Sequence, residues 1–241
     1  MGYIKKEVNR KVGKAIHQFG LLNQGDSIMV AVSGGTDSLA MLHFLAKWQK
    51  KAPIDFHLIP VYLEMGFNKA TCWPLLKAVF EKLNLPYYME ETSIGLYAHS
   101  DENRGKSPCF ICAWRRRKRL FELTQILGCN KIALGHTLDD VIETFFLNMC
   151  YSGEMSTMLP RQVMFNGLVT IIRPLTLVEK SALQRLSPLL GITSCANLCP
   201  SAKVSKRSHI RKTLGFIYNQ DKKIKGNIAK AIFNIRKEYL P

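Results

Sequence analysis

The chain has 241 residues, 47% of them hydrophobic, enough to bury a sizeable core and to exclude disorder over most of its length. Thirty-four Lys and Arg residues oppose 18 Asp and Glu, a formal charge of +16 that points to a polyanionic partner rather than a merely solubilising surface. No stretch approaches the ~18 apolar residues of a membrane span, and Met1-Gly2-Tyr3-Ile4-Lys5-Lys6-Glu7 lacks the apolar core of an export signal, so a cytoplasmic protein without membrane contact is expected.

In chain order, residues 5–19 read as a basic amphipathic helix with Val8, Val12, Ile16 and Phe19 on one face. Gly25-Asp26 turns into a buried strand at Met29-Val30-Ala31-Val32, and residues 38–48 form the next helix. A second buried strand covers 57–63, a helix 74–84 and a third strand 86–90. Residues 113–128 are a helical run closed by Gly128, followed by a short strand at 131–134, a helix over 138–149 and a last strand at 168–172. This alternation predicts an α/β fold: a doubly wound, parallel five-stranded sheet with helices on both faces. Around a core domain at 25–176 stand an N-terminal basic helix (1–24) and a basic helical C-terminal region (177–241). Ligands of such sheets sit beyond the strand C-termini, which places Ser33 and Gly135 in one crevice, with Leu63 at the end of the second strand.

The first of these loops carries the most specific chemistry. Ser33-Gly34-Gly35-Thr36-Asp37-Ser38 joins a buried strand to a helix N-terminus, where backbone N–H groups and the helix dipole favour an anion. No lysine follows at the place required by a GxxxxGK[ST] loop, which excludes that class of kinases and motors. Asp37 beside phosphates is repulsive unless Mg²⁺ bridges the two. The plainer reading is a turn with Thr36 or Asp37 capping a helix. Ser-Gly-Gly-x-Asp-Ser after a strand closely resembles the pyrophosphate loop of the N-type ATP pyrophosphatases, which implies ATP as substrate and AMP transfer to an oxygen.

Gly135-His136-Thr137-Leu138-Asp139-Asp140 forms a second candidate loop. Thr137 with Asp140 fits a capping box, which by itself accounts for the acidic residues, but Asp139 and Asp140 also face the crevice and suit Mg²⁺ binding or proton handling. Seven cysteines without an export signal point to metal or thiol chemistry rather than a disulfide framework. Cys109-Phe110-Ile111-Cys112 suits one metal centre or a redox pair. With Cys195 and Cys199 it makes a loosely spaced zinc set; three cysteines instead suit an iron–sulfur cluster with one iron open. Cys72, Cys129 and Cys150 read as buried bystanders. Arg115-Arg116-Arg117-Lys118-Arg119, with Arg104 and Lys106 before it, and the basic stretch from Lys203 to Lys237 suit phosphate backbones.

The order of these elements (basic helix, SGGTDS, CFIC, GHTLDDVIETFFLNMCYSG, IIRPL, NLCPS) resembles the tRNA 2-thiocytidine synthetase family (TtcA) over nearly the whole chain. The resemblance implies a [4Fe-4S] cluster on Cys109, Cys112 and Cys199, with ATP, Mg²⁺, tRNA, cysteine-derived sulfur arriving through a cysteine desulfurase or as sulfide, and a homodimer. Nucleotide contacts are expected at Ser33, Gly34, Gly35, Thr36, Asp37, Ser38, Leu63, Gly135 and His136, and catalytic work at Asp37, Arg116, Asp139 and Asp140. The implied reaction adenylates the C2 oxygen of a pyrimidine such as cytidine 32 and replaces it with sulfur. Persulfide chemistry on Cys109 or Cys112, another tRNA base, and a small-molecule substrate are the alternatives. The chain departs from the family at Thr36, where lysine is common, at Thr137-Leu138, and at Cys195-Ala196-Asn197-Leu198-Cys199, one residue longer than the family's Cys-Asn-Leu-Cys, which makes Cys195 a rival ligand.

Overall fold

A computed structural model describes residues 2–67, 69–105, 107–196, 198–201, 205–236 and 238. The chain runs α1 (Gly2–Gln18), β1 (Asp26–Val32), α2 (Thr36–Gln49), β2 (Phe56–Glu64), α3 (Lys69–Lys82), β3 (Tyr88–Glu91), α4 (Ile94–Ala98) and α5 (Pro108–Ile126). It continues through β4 (Lys131–Leu134), α6 (Leu138–Ser152), β5 (Arg161–Met164), β6 (Val169–Ile172), α7 (Lys180–Leu186), α8 (Lys206–Tyr218) and α9 (Ile224–Phe233).

The strands stand in the order β3-β2-β1-β4-β6-β5. The first five are parallel, and β5 pairs antiparallel with β6. The expected five-stranded parallel sheet therefore gains a sixth, antiparallel edge strand. β5 escapes sequence reading because its residues, Arg161-Gln162-Val163-Met164, alternate only between exposed and half-buried and are too few to show a period. Two helices also start earlier than their patterns suggest. α3 runs through Pro74 instead of beginning there. α5 begins at Pro108, whose missing N–H is no loss in a first turn, so the Cys-x-x-Cys pair lies on the helix and not before it.

Both faces of the sheet are covered, and β1 shows why its sequence is apolar without a break. Ile28, Val30 and Val32 point into one core with Val8 and Val12 of α1, Phe44 of α2, Phe80 of α3 and Leu183 of α7. Met29 and Ala31 point into the other with Leu120 and Leu123 of α5 and Ile132 of β4. Side chains alternate with period two, so a strand buried on both faces must be apolar at every position. Complete burial of a side chain such as Phe44 or Leu123 contributes roughly 1.5–3 kcal/mol. α8 packs on α6 through Ile142, Ile210 and Leu214, and Ile228 and Ile232 of α9 pack against them, outside the two sheet cores.

A buried ion pair ties the starts of the central strands together. Lys131 Nζ of β4 donates to Asp26 Oδ2 of β1 at 2.6 Å and to Leu21 O at 2.9 Å, with the paired side chains 3% and 4% exposed. Asn130 Nδ2 donates to the other Asp26 oxygen at 3.0 Å. Lys131→Met leaves a buried carboxylate without its cation and is expected to cost about 3–5 kcal/mol in urea unfolding. Lys131→Met with Asp26→Leu removes both charges and recovers most of that loss.

Candidate active site

β1 ends at Val32, and Ser33, Gly34 and Gly35 lead into α2. Gly34 lies at φ +78°, and a Cβ there would stand 2.8 Å from Cys195 Sγ, so the turn and its cover both demand glycine. Ser38 Oγ donates to Gly35 O at 2.9 Å and accepts from Ser33 N at 3.1 Å and Ser33 Oγ at 3.2 Å. The first amides of α2 have no intrahelical acceptor, and the helix dipole adds positive potential at the same end.

β4 supplies the facing loop. A Cβ on Gly135 would stand 3.0 Å from Ser38 Cα and 3.1 Å from Ser38 N, so only glycine lets the end of β4 lie against the first turn of α2. Thr137 N and Oγ1 each donate to Asp140 Oδ2 at 2.9 Å, as the capping-box reading expects. Burial alone would raise the Asp140 pKa, but these two bonds, together with His136 and Lys180 nearby, hold the carboxyl below its ordinary value. His136 Nδ1 accepts from Arg173 Nε at 3.1 Å. Burial, helped by that guanidinium, pushes His136 down to about 4.

Ser33, Gly35, Thr36, Asp37 and Ser38 line one side of a cavity of about 420 Å³, and Gly135, His136 and Asp140 line the other. Arg116 and Lys180 complete its wall. Asp37 Oδ2 lies 3.3 Å from Lys180 Nζ, whereas its Oδ1 is buried without a hydrogen-bond partner. Burial raises the Asp37 pKa, and Asp140 and Asp139 add to the rise while Lys180 opposes it. Asp139 does not line this cavity: its oxygens accept from Lys180 N and Lys225 Nζ, each at 2.7 Å, so it positions α7.

A second cavity of about 350 Å³ adjoins the first, and Ser33, Gly35 and Arg116 line both. Leu63 belongs here rather than to the first cavity, with Tyr62, Glu64, Cys112 and Cys199. Tyr62 Oη donates to Glu64, whose Oε1 accepts from Gly66 N and Phe67 N at 2.9 Å each. Because α5 starts at Pro108, Cys109, Cys112 and Arg116 follow one another at helical spacing on one face. Cys109 is exposed and does not line the cavity. Burial raises the Cys112 pKa, Arg116 opposes the rise, and the Cys199 and Cys109 thiols add to it. Cys199 Sγ stands 4.0 Å from His99 Nε2. Among the described residues no three or more His, Cys, Asp or Glu side chains are already gathered as a metal site.

Three cysteine expectations change. Cys72, expected as a bystander, is bridged to Cys195 across 123 residues, and Cys195 therefore has no thiolate to offer as a rival ligand. Cys150 is exposed, not buried. The basic run on α5 also divides. Arg116 faces the cavities, Arg119 pairs with Glu90 and Glu122, and Arg115 lies 3.6 Å over the Tyr97 ring. Arg117 and Lys118 remain exposed beside Trp114. In the C-terminal region Arg207, Arg211 and Lys225 pair with Asp140, Glu143 and Asp139, while Lys212, Lys222, Lys223, Lys230 and Arg236 stay exposed. Lys106, Asn197, Lys203 and Lys237 lie outside the described residues. No described helix is long and apolar enough to cross a membrane. Sequence reading missed Lys180 and the Tyr62–Glu64 pair, for which no local pattern exists, and gave no role to Arg173, although it stands in the IIRPL element.

The cysteine pairing predicts that alkylation of denatured, unreduced apoprotein labels five of the seven cysteines, and that prior reduction raises the count to seven by intact mass. The His136 environment predicts an acid-side loss of stability. Its folded pKa of about 4 lies below the ordinary 6.5, so between these values the unfolded chain binds a proton that the native state does not. The urea midpoint should fall as pH drops through that window, and His136→Gln should flatten the fall.

A family model for the PP-loop domain matches residues 4–215. A tRNA-cytidine(32) 2-sulfurtransferase of Geobacter sulfurreducens is 34% identical over 238 residues, 98% of this chain and 92% of the relative. One from Shewanella baltica OS155 is 38% identical over 216 residues, 88% of this chain and 68% of the relative. Among solved structures, the U34-tRNA thiolase NcsA from Methanococcus maripaludis with its [4Fe-4S] cluster shares the fold, with a TM-score of 0.80 at 23% identity over 99% of this chain and 80% of that one. The chain belongs to the PP-loop domain family and, within it, to the tRNA-cytidine(32) 2-sulfurtransferases.

Proposed function

We propose that this chain is an ATP-dependent tRNA-thiolating enzyme that activates the C2 oxygen of a pyrimidine, cytidine 32 as in its relatives, and replaces it with sulfur. One observation carries the reading: Arg116, Ser33 and Gly35 line both the phosphate cavity and the thiol cavity, so an activated oxygen and a sulfur donor meet at one wall. The loop amides and the α2 N-terminus hold the phosphates of ATP. Arg116 stabilises charge on the transferring phosphate and opposes protonation of Cys112. The C2 oxygen bonds to the α-phosphorus as the α–β bridging P–O bond breaks, and pyrophosphate leaves. Hydrosulfide then bonds to C2, the C–O bond breaks, AMP leaves and a proton is released.

Two groups fit the residues present. Mg²⁺ fits at Asp37, whose buried Oδ1 has no other partner. Cys109, Cys112 and Cys199 offer the soft thiolates that suit a [4Fe-4S] cluster, two of them on one cavity, and a cluster held there would supply an iron able to take up inorganic sulfide. The sulfur comes from cysteine through a desulfurase or from sulfide itself. The exposed cations of α5 and of the C-terminal region support tRNA as the carrier of the oxygen.

Anaerobically purified protein given tRNA, ATP, Mg²⁺ and sulfide should release AMP and pyrophosphate in equal amounts and yield a thiolated nucleoside by mass spectrometry. Asp37→Asn should slow this about a hundredfold or more, and tRNA affinity should fall steeply with salt. Salt-dependent tRNA binding without pyrophosphate release would reduce the chain to a binding protein. An iron-free protein that still thiolates tRNA would overturn the cluster.

A further inference from the structure

The phosphate cradle is short of positive charge along the loop itself. Position 36, the first residue of α2, is Thr and carries no charge. His136 on the facing side is held neutral at pH 7 by a pKa of about 4. Arg116 stands on the wall shared with the thiol cavity. Asp37 and Asp140 add negative charge to the lining, and a triphosphate adds more.

Among the described lining residues the cations are Arg116 and Lys180, and Lys180 is the one that contacts a loop carboxylate, Asp37. Its Nζ stands 3.3 Å from Asp37 Oδ2, and its side chain is 39% exposed, so the ammonium is open to a ligand. Its root is fixed: Lys180 N donates to Asp139 Oδ2 at 2.7 Å, and Lys225 holds the other Asp139 oxygen at 2.7 Å. An ammonium carries three donors, of which the Asp37 contact occupies one. A point charge on a flexible stem, anchored at its backbone and facing an anion cradle, is the chemistry of phosphate binding.

We propose that Lys180 is the phosphate-binding lysine of this cradle: it reaches in from α7 and holds the pyrophosphate portion of ATP, supplying the charge that Thr36 lacks. The contact with Asp37 keeps the ammonium over the loop before the phosphates arrive. The role rests on the adenylating reading above, but its test is a binding measurement that stands apart from turnover.

Calorimetric titration of inorganic pyrophosphate and, separately, of AMP in the presence of Mg²⁺ distinguishes a phosphate contact from a structural one. Lys180→Gln should weaken pyrophosphate binding by about tenfold to a hundredfold, the worth of one charge-assisted hydrogen bond, and leave AMP affinity unchanged. Lys180→Arg should retain most of the pyrophosphate affinity. Thr36→Lys added to Lys180→Gln should restore much of it, because residue 36 lines the same cavity. Wild-type pyrophosphate affinity in Lys180→Gln overturns the proposal, as does equal weakening of AMP and pyrophosphate, which would make Lys180 only a positioning partner of Asp37. A wild-type protein that binds pyrophosphate through Lys180 yet releases none from ATP with tRNA would sink the adenylating reading and leave the phosphate site standing.

Discussion

Parallel pairing of β1 with β4, Ala31 opposite Leu134, puts the ends of two central strands side by side, and the site exists because of that pairing. β2 and β3 lie to one side of β1, and β4, β6 and β5 lie to the other. The crossovers leave the sheet in opposite directions from this point, which opens a crevice over the strand ends. Lys131 and Asp26 lock the far ends of the same two strands. At the near end Gly135 touches the first turn of α2, so the phosphate loop and the acidic loop share one wall.

The second cavity depends on where a helix begins. A start at Pro108 sets the rotation of α5, and that rotation turns Cys112 and Arg116 toward the strand ends and leaves Arg117 and Lys118 in solvent. The opposite wall comes from the segment after α7. Cys195 is bonded to Cys72 and its N–H donates to Gly34 O at 2.9 Å, which seats this segment on the phosphate loop and carries Cys199 to the cavity. Three C-terminal cations, Lys180, Arg207 and Lys225, neutralise Asp37, Asp140 and Asp139. The C-terminal region thus supplies charge to the site as well as to the surface.

Much of the site's local geometry is legible in the chain itself. The strand–turn–helix at Ser33 to Ser38 was legible because glycines and hydroxyls lie within a single turn, where local sequence controls backbone shape. Thr137 and Asp140 were readable as a cap for the same reason: their bond spans three residues. β5 was invisible because its pairing with β6, and not its own pattern, makes it a strand. Lys180 lies 143 residues after Asp37, and no motif could link the two.

The sequence by itself determined the elements whose interactions are local: the alternation of buried strands and amphipathic helices, the phosphate loop, the capped acidic loop and the Cys-x-x-Cys pair. Their periodicity and turn chemistry are carried by neighbours along the chain. Tertiary structure decided which side chains meet. It split the basic run on α5 into inward and outward residues, sent Asp139 to the start of α7, and paired Cys72 with Cys195. These contacts join segments far apart in sequence, and they form only when the central strands, by pairing, bring their loops to one edge.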